Sequence, residues 1–139
     1  MWIQNVARAD IPEGNHRGDG TNTVLIQIAD PAAFFPVPKH KFEEVHQFEF
    51  LDLEDNDECE EDGFKITDEQ AAVLVAILQH ARELGMNVLV HCYAGICRSG
   101  AVCEVGVMLG FEDTGAYRQP NLRVKHKMMK QLGWTYDAS

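Results

Sequence analysis

Cys92 and Arg98, separated by five residues in a chain of 139, are the side chains whose types and spacing could do chemistry. A loop of that length, folded back on itself, holds a sulfur nucleophile and a guanidinium around the same small anion. A phosphoryl group suits the pair. The thiolate is the reactive form of cysteine, and the guanidinium fork grips two oxygens bidentately and retains them as charge shifts in the transition state. Lysine, a point charge, could not copy that fork. Backbone N–H groups of Tyr93, Ala94, Gly95, Ile96, Cys97 and Arg98 would complete the cradle, with Gly95 free to take the positive φ such a turn needs. Ser99, next to the arginine, is placed to donate a hydrogen bond to the sulfur, easing its departure, and to cap a following helix.

A two-residue spacing is a motif that chance supplies, so the elements around it carry weight. The apolar run Asn87-Val88-Leu89-Val90 reads as a strand entering the loop, and 99–109 is apolar on almost every face, as a buried helix would be, with Gly110 ending it. Strand, turn and helix in that order set N–H groups and a helix N-terminus against an anion. Upstream, Thr67-Asp68-Glu69-Gln70 forms a capping box, and Ala71, Leu74, Val75, Leu78 and Ala81 recur at helical spacing up to Gly85. The expected helix is therefore 67–84. Thr23 to Ile28, closed by Ala29-Asp30-Pro31, reads as a buried strand, and Phe48 to Leu53 as a second. Residues 1–20 carry little signal beyond Pro12, Gly14, Gly18 and Gly20, which mark turns or a flexible loop, and no element is assigned there. Asn121 to Leu132 reads as a last amphipathic helix, burying Leu122, Val124, Met128, Met129 and Leu132. The pattern predicts one α/β domain over 1–139, with its core at about 23–132: a central, mostly parallel sheet of four to five strands flanked by helices.

The segment HCYAGICRSGA resembles the signature loop of the cysteine-based protein tyrosine phosphatases, and especially their small dual-specificity branch. The family pattern, His-Cys-x-x-Gly-x-x-Arg followed by Ser or Thr, is met by His91, Cys92, Gly95, Arg98 and Ser99. Tyr117-Arg118-Gln119-Pro120-Asn121 with Gln131-Leu132 is similar to the C-terminal part of such domains, and Val24 to Ile28 to their first core strand. The resemblance implies a phosphatase-type fold that hydrolyses phosphotyrosine, with phosphoserine and phosphothreonine as further candidates, through a cysteinyl-phosphate intermediate and without metal or cofactor. It gives Cys92 the role of nucleophile, Arg98 that of phosphate clamp, and His91 a structural role orienting the cysteine. A leaving oxygen needs a proton, so a carboxylic acid on a separate loop should face Cys92. Alignment of FEFLDLEDND with the family places that acid at Asp55, with Asp57 as rival and Asp52 third. A phosphoinositide phosphatase, an RNA 5′-triphosphatase on the same scaffold, and a phosphoprotein-binding module without turnover are the alternatives.

Composition narrows the partners. A net charge of −10 and a pI near 4.9 disfavour a surface built for nucleic acid or anionic lipid. The resemblance implies a phosphorylated protein or peptide as partner, met through a shallow, tolerant site, and a monomer is expected. MWIQNVARADIPEG carries neither a signal-peptide pattern nor an apolar run long enough to span a bilayer, so a cytoplasmic location is expected. Cys59, Cys92, Cys97 and Cys103 contain no Cys-x2-Cys pair, and reduced thiols fit the same compartment. Cys97 could trap an oxidised Cys92 as a disulfide, Cys103 reads as core and Cys59 as a loop thiol. Between Asp52 and Asp62 eight of eleven residues are acidic, which reads mostly as a solvated, self-repelling loop.

Overall fold

The computed structural model describes residues 1–55 and 64–134. Five strands, β1 (Trp2–Ala7), β2 (Thr23–Ala29), β3 (Glu44–Glu49), β4 (Asn87–Cys92) and β5 (Glu112–Asp113), form a single sheet in the order β3-β2-β4-β1-β5. Every pairing is parallel. The helices are α1 (Asp10–Glu13), α2 (Asp68–Leu84), α3 (Arg98–Met108) and α4 (Leu122–Gln131). The fold is thus the expected α/β sheet flanked by helices.

Both faces of the sheet are covered, which is why β2 and β4 read as continuous apolar runs rather than alternating ones. On one face Ile3, Val24, Ile26, Val88 and Val90 pack with Leu74 and Leu78 of α2, Val102 and Val105 of α3, and Val124 and Met128 of α4. On the other, Trp2, Val6, Leu25 and Leu89 meet Ile11 and Phe42. Gln27, buried in β2, is satisfied by donating to the Pro36 carbonyl and accepting from Gln47.

The helix over 67–84 forms as its sequence dictates. The Thr67 side chain accepts from the Gln70 N–H, the Gln70 side chain accepts from the Thr67 N–H, and Gly85 closes the helix at φ 67°. Asn121 caps α4 by accepting from the Val124 N–H, while Leu122 stays exposed at 43% rather than joining the buried side.

Two expectations shift. The strand expected at 48–53 is β3 at Glu44–Glu49. As an edge strand it pairs only with β2, so much of its Glu44-Val45-His46-Gln47 run is solvated and lacks an apolar signature. The strand β1 falls inside residues 1–20, where the sequence pattern assigns no element. Gln4 and Asn5 interrupt its hydrophobic pattern, and the Asn5 amide donates to the Gly95 and Tyr117 carbonyls instead of packing in the core. No helix among the described residues is long and apolar enough to cross a membrane.

Candidate functional site

The carboxyl ends of β2, β3 and β4 converge on a cavity of about 360 Å³, lined by Asp30, Leu51, Asp52, Leu53, Cys92, Tyr93, Ala94, Cys97 and Arg98. Ligands of parallel α/β sheets favour this end of the strands. Cys92 is the last residue of β4 and is 2% exposed. Its sulfur lies 3.2 Å from the Ser99 hydroxyl and 3.5 Å from the Ser99 backbone N–H, which donates to it. Ser99 is wholly buried in the first turn of α3.

The loop between β4 and α3 is held by its carbonyls. Tyr93 O accepts from Arg8 N (3.1 Å), Ile96 O from Gln119 N (3.2 Å), and Cys97 O from Ala101 N and Asn121 N (both 2.9 Å). The Gly95 carbonyl accepts from Asn5 Nδ2 at 2.7 Å, and the same amide reaches the Tyr117 carbonyl at 3.0 Å. With these carbonyls tied outward, the N–H groups of Tyr93 to Cys97 make no intramolecular hydrogen bond among the described residues. That is the polarity of an anion-binding nest, joined to the N-terminus of α3. Gly95 sits at φ +75°, and a Cβ there would lie 2.3 Å from the Val6 carbonyl carbon. Its replacement would therefore push the loop off β1.

Arg98 is 4% exposed, an unusual burial for a charged side chain unless it is paired. Nη1 donates to Asp30 Oδ1 at 2.7 Å and to the Phe50 carbonyl at 2.8 Å. Nε is buried with no hydrogen-bond partner among the described residues. One edge of the guanidinium is thus anchored and the other carries an unsatisfied donor, a costly arrangement unless something else accepts from it. Asp30 was read from sequence only as the close of a strand, yet it orients the arginine and lines the cavity.

Of the predicted phosphate-binding residues, Tyr93, Ala94, Cys97 and Arg98 line the cavity, while Gly95 and Ile96 stand behind it as braces. The expected acid does not come to the cavity. The Asp55 carboxylate is 66% exposed and pairs with Arg123 Nη1 at 2.5 Å. Asp57 and Cys59 lie outside the described residues. Asp52, third in the sequence reading, is the carboxylate from this segment in the lining, and Asn121 Nδ2 donates to its Oδ1 at 2.7 Å. The displacement has a physical cause: Glu54 accepts from the Leu122 and Arg123 N–H groups at the N-terminus of α4, which turns residue 55 toward Arg123. The described acids of this segment therefore do not behave alike: Asp52, Glu54 and Asp55 each have a different partner.

His91 is wholly buried, with Nδ1 3.5 Å from the Cys92 carbonyl and Nε2 unpartnered among the described residues. Burial, helped by the positive charges of Arg8 and Arg98, pushes its pKa down to about 4. It is neutral at pH 7 and supplies no proton to a leaving group. Burial and then the Asp52 carboxylate push the Cys97 thiol up, and burial pushes Cys103 up to about 11. Cys103 is a core thiol facing the Ile3 carbonyl, as expected. Cys92, Cys97 and Cys103 are all free.

Behind the loop, Arg118 pairs with Glu104 at 2.8 Å and bidentately with Asp113 at 3.0 and 2.9 Å. It packs on Gly100, where a Cβ would come 2.9 Å from Arg118 Cβ. The pairing holds Asp113 down to about 2 and fixes the chain that presents Tyr117, Gln119 and Asn121 to the loop. Asn5, Asp30 and Asn121 are the site residues that sequence reasoning did not assign. Only Asn121 carried a signal, as a helix-capping residue inside the segment that resembles phosphatase domains. No group of three or more His, Cys, Asp or Glu residues among those described could hold a metal ion. No protein-family model matches the chain, and no curated protein matches it.

Proposed function

We propose that the chain is a phosphatase of the cysteine-dependent protein tyrosine phosphatase type, acting on phosphotyrosine in proteins or peptides. The observation that carries the reading is the unpartnered Nε of buried Arg98 beside Cys92, facing a loop whose carbonyls are tied outward. A tetrahedral dianion would satisfy that donor and the free N–H groups together.

In this cycle the Cys92 thiolate attacks phosphorus in line with the leaving oxygen. The P–S bond forms as the P–O bond breaks, and the leaving oxygen takes a proton from Asp52. Water then attacks the cysteinyl phosphate and yields its proton to Asp52, the P–S bond breaks, and phosphate departs. The Ser99 hydroxyl, 3.2 Å from the sulfur, donates to it as negative charge returns. Asp52 replaces Asp55 in the acid role because it lines the cavity and Asp55 is engaged by Arg123. Neither step calls for a metal or an organic cofactor.

Hydrolysis of an aryl phosphate and of a phosphotyrosine peptide by wild type, Cys92→Ser and Asp52→Asn tests the proposal. Turnover lost in Cys92→Ser, and a phosphate-labelled cysteine trapped on rapid acid quench of wild type, are expected. Equal turnover by Cys92→Ser would end it. Parallel assays with phosphoserine and phosphothreonine peptides, a phosphoinositide and triphosphorylated RNA define the substrate class.

A further inference from the structure

The catalytic cavity is not alone at this end of the sheet. A neighbouring cavity of about 180 Å³ is lined by Arg8, Ile28, Ala29, Asp30, Ala33 and Tyr93, and an open one of about 480 Å³ by Arg8, Ala9, Pro12, Pro36 and Tyr93. Tyr93, 73% exposed, is common to all three, so they adjoin one another around this residue, with Cys92 in the lining of the first and Arg8 in that of the other two. The register fixes the spacing: Ala7 is paired with Cys92, and the Arg8 N–H donates to the Tyr93 carbonyl. Arg8 is therefore one residue beyond the nucleophile on the neighbouring strand, and adjacent strands lie ~4.8 Å apart.

Arg8 differs from the other cation at the site. Arg98 is buried and anchored by Asp30 and the Phe50 carbonyl. The Arg8 side chain is partly exposed and makes no ion pair or hydrogen bond among the described residues. Asp30, in the lining of the same cleft, and Asp10, two residues along the chain, are already engaged. Asp30 accepts from Arg98, while Asp10 accepts from the Ala7 N–H and from Asn15. In a chain of net charge −10, an uncompensated guanidinium in a cleft is a local reversal of sign. The ground around it is apolar, formed by Ala9, Pro12 and Pro36, with Phe34 and Val37 exposed at 87% and 80% on the same loop as Pro36.

Resting on the reading of the 91–99 loop as a phosphotyrosine site, we propose that the Arg8 cleft binds the carboxylate of an acidic residue flanking the phosphotyrosine in the substrate. A residue adjacent in a peptide lies ~3.8 Å along the chain, so a glutamate beside or one removed from the phosphotyrosine spans the distance past Tyr93. The chemistry of the cleft selects carboxylate over a second phosphate. It offers one guanidinium and apolar walls that cover an aliphatic stem, with none of the converging N–H groups that surround Cys92. Asp52 lines the catalytic cavity but not the Arg8 cleft, so an acidic residue on that side is repelled and the preference has a direction.

The test compares synthetic phosphotyrosine peptides carrying alanine, glutamate, lysine or a second phosphotyrosine at each of the two positions on either side. For each protein the readout is the ratio of kcat/KM for a flanked peptide to that for the alanine peptide, which cancels any loss common to all substrates. Wild type is expected to favour glutamate on one side by roughly tenfold. Arg8→Ala should bring that ratio to about one, and Arg8→Glu should transfer the preference to lysine at the same position. An unchanged glutamate ratio in Arg8→Ala, no ratio in wild type, or a preference confined to the second phosphotyrosine overturns the proposal. The same ratios are read as Kd by fluorescence anisotropy with Cys92→Ser protein. If wild type hydrolyses no aryl phosphate, the phosphatase reading falls, while the anisotropy ratios still decide the role of Arg8.

Discussion

The 92–98 loop and the segment 51–55 both contribute to the lining of one cavity, the second through Leu51, Asp52 and Leu53, but they are held there by different bonds. The cysteine loop is fixed through backbone carbonyls that β1, the 117–121 segment and α3 draw outward, so its shape depends little on its own side chains. The acidic segment is fixed through side chains: Asp52 to Asn121, Glu54 to the N-terminus of α4, and Asp55 to Arg123. A site of this kind has one half that tolerates change at exposed positions and another where each side chain sets the next. Their meeting point is Asn121, whose N–H holds the Cys97 carbonyl while its amide holds Asp52 and the Leu53 carbonyl.

That contrast can be broken first from the loop side. Cys92→Ser should lower aryl phosphate turnover by roughly 10⁴-fold or more, the scale on which removing a nucleophile acts, and Arg98→Lys by about 10²–10³-fold. Thermal unfolding by circular dichroism should confirm that Cys92→Ser remains folded. Next comes the acid: with a poorly activated leaving group, Asp52→Asn should reduce kcat by about 10²-fold. Asp55→Asn should stay within about twofold and cost less than ~1 kcal/mol in urea unfolding, because its ion pair with Arg123 is largely solvated. The reverse ranking would return the acid role to Asp55.

Asn121→Ala sharpens the comparison, since it acts on both halves. Loss of the α4 cap and of a buried amide should cost about 1–3 kcal/mol in urea unfolding, and the fall in kcat should be larger for alkyl than for nitrophenyl phosphate. The effect on stability that depends on pH belongs to His91. Its pKa is lowered in the folded chain from 6.5 to about 4, so the unfolded chain binds the extra proton first. Its contribution is fully present above pH 6.5, falls as pH drops toward 4, and amounts to at most about 3 kcal/mol. His91→Asn should flatten that part of the stability profile, read as the wild-type-minus-mutant difference in Tm between pH 7 and pH 4.

The same two regions explain what could be read in the sequence. The 91–99 loop was legible because its parts are contiguous and each has a local reason: Gly95 for the positive φ, Arg98 for the fork, an apolar strand before and a helix after. The helix over 67–84 was legible for the same reason, since its cap, its stripe and its terminal glycine all lie within it. Which carboxylate lines the cavity was not, because Asp52, Asp55 and Asp57 are chemically alike and a contact 69 residues away, from Asn121, marks out the first of them. Asn5 and Asp30 are equally nonlocal. Each serves a loop or an arginine far along the chain, and its own neighbours give no hint of it. β1 was hidden because the polar residue that braces the loop also interrupts the strand pattern.

The order β3-β2-β4-β1-β5 sets a schedule for the chain's own assembly. The N-terminal strand pairs with β4, and Asn5 reaches Gly95 and Tyr117 across 90 and 112 positions of sequence. Contacts so distant close late and slow the search for the native state. During synthesis the brace on the cysteine loop cannot be complete until residue 117 has been made, because Asn5 holds both the Gly95 and the Tyr117 carbonyl. The cysteine loop and the packed sheet therefore mature together.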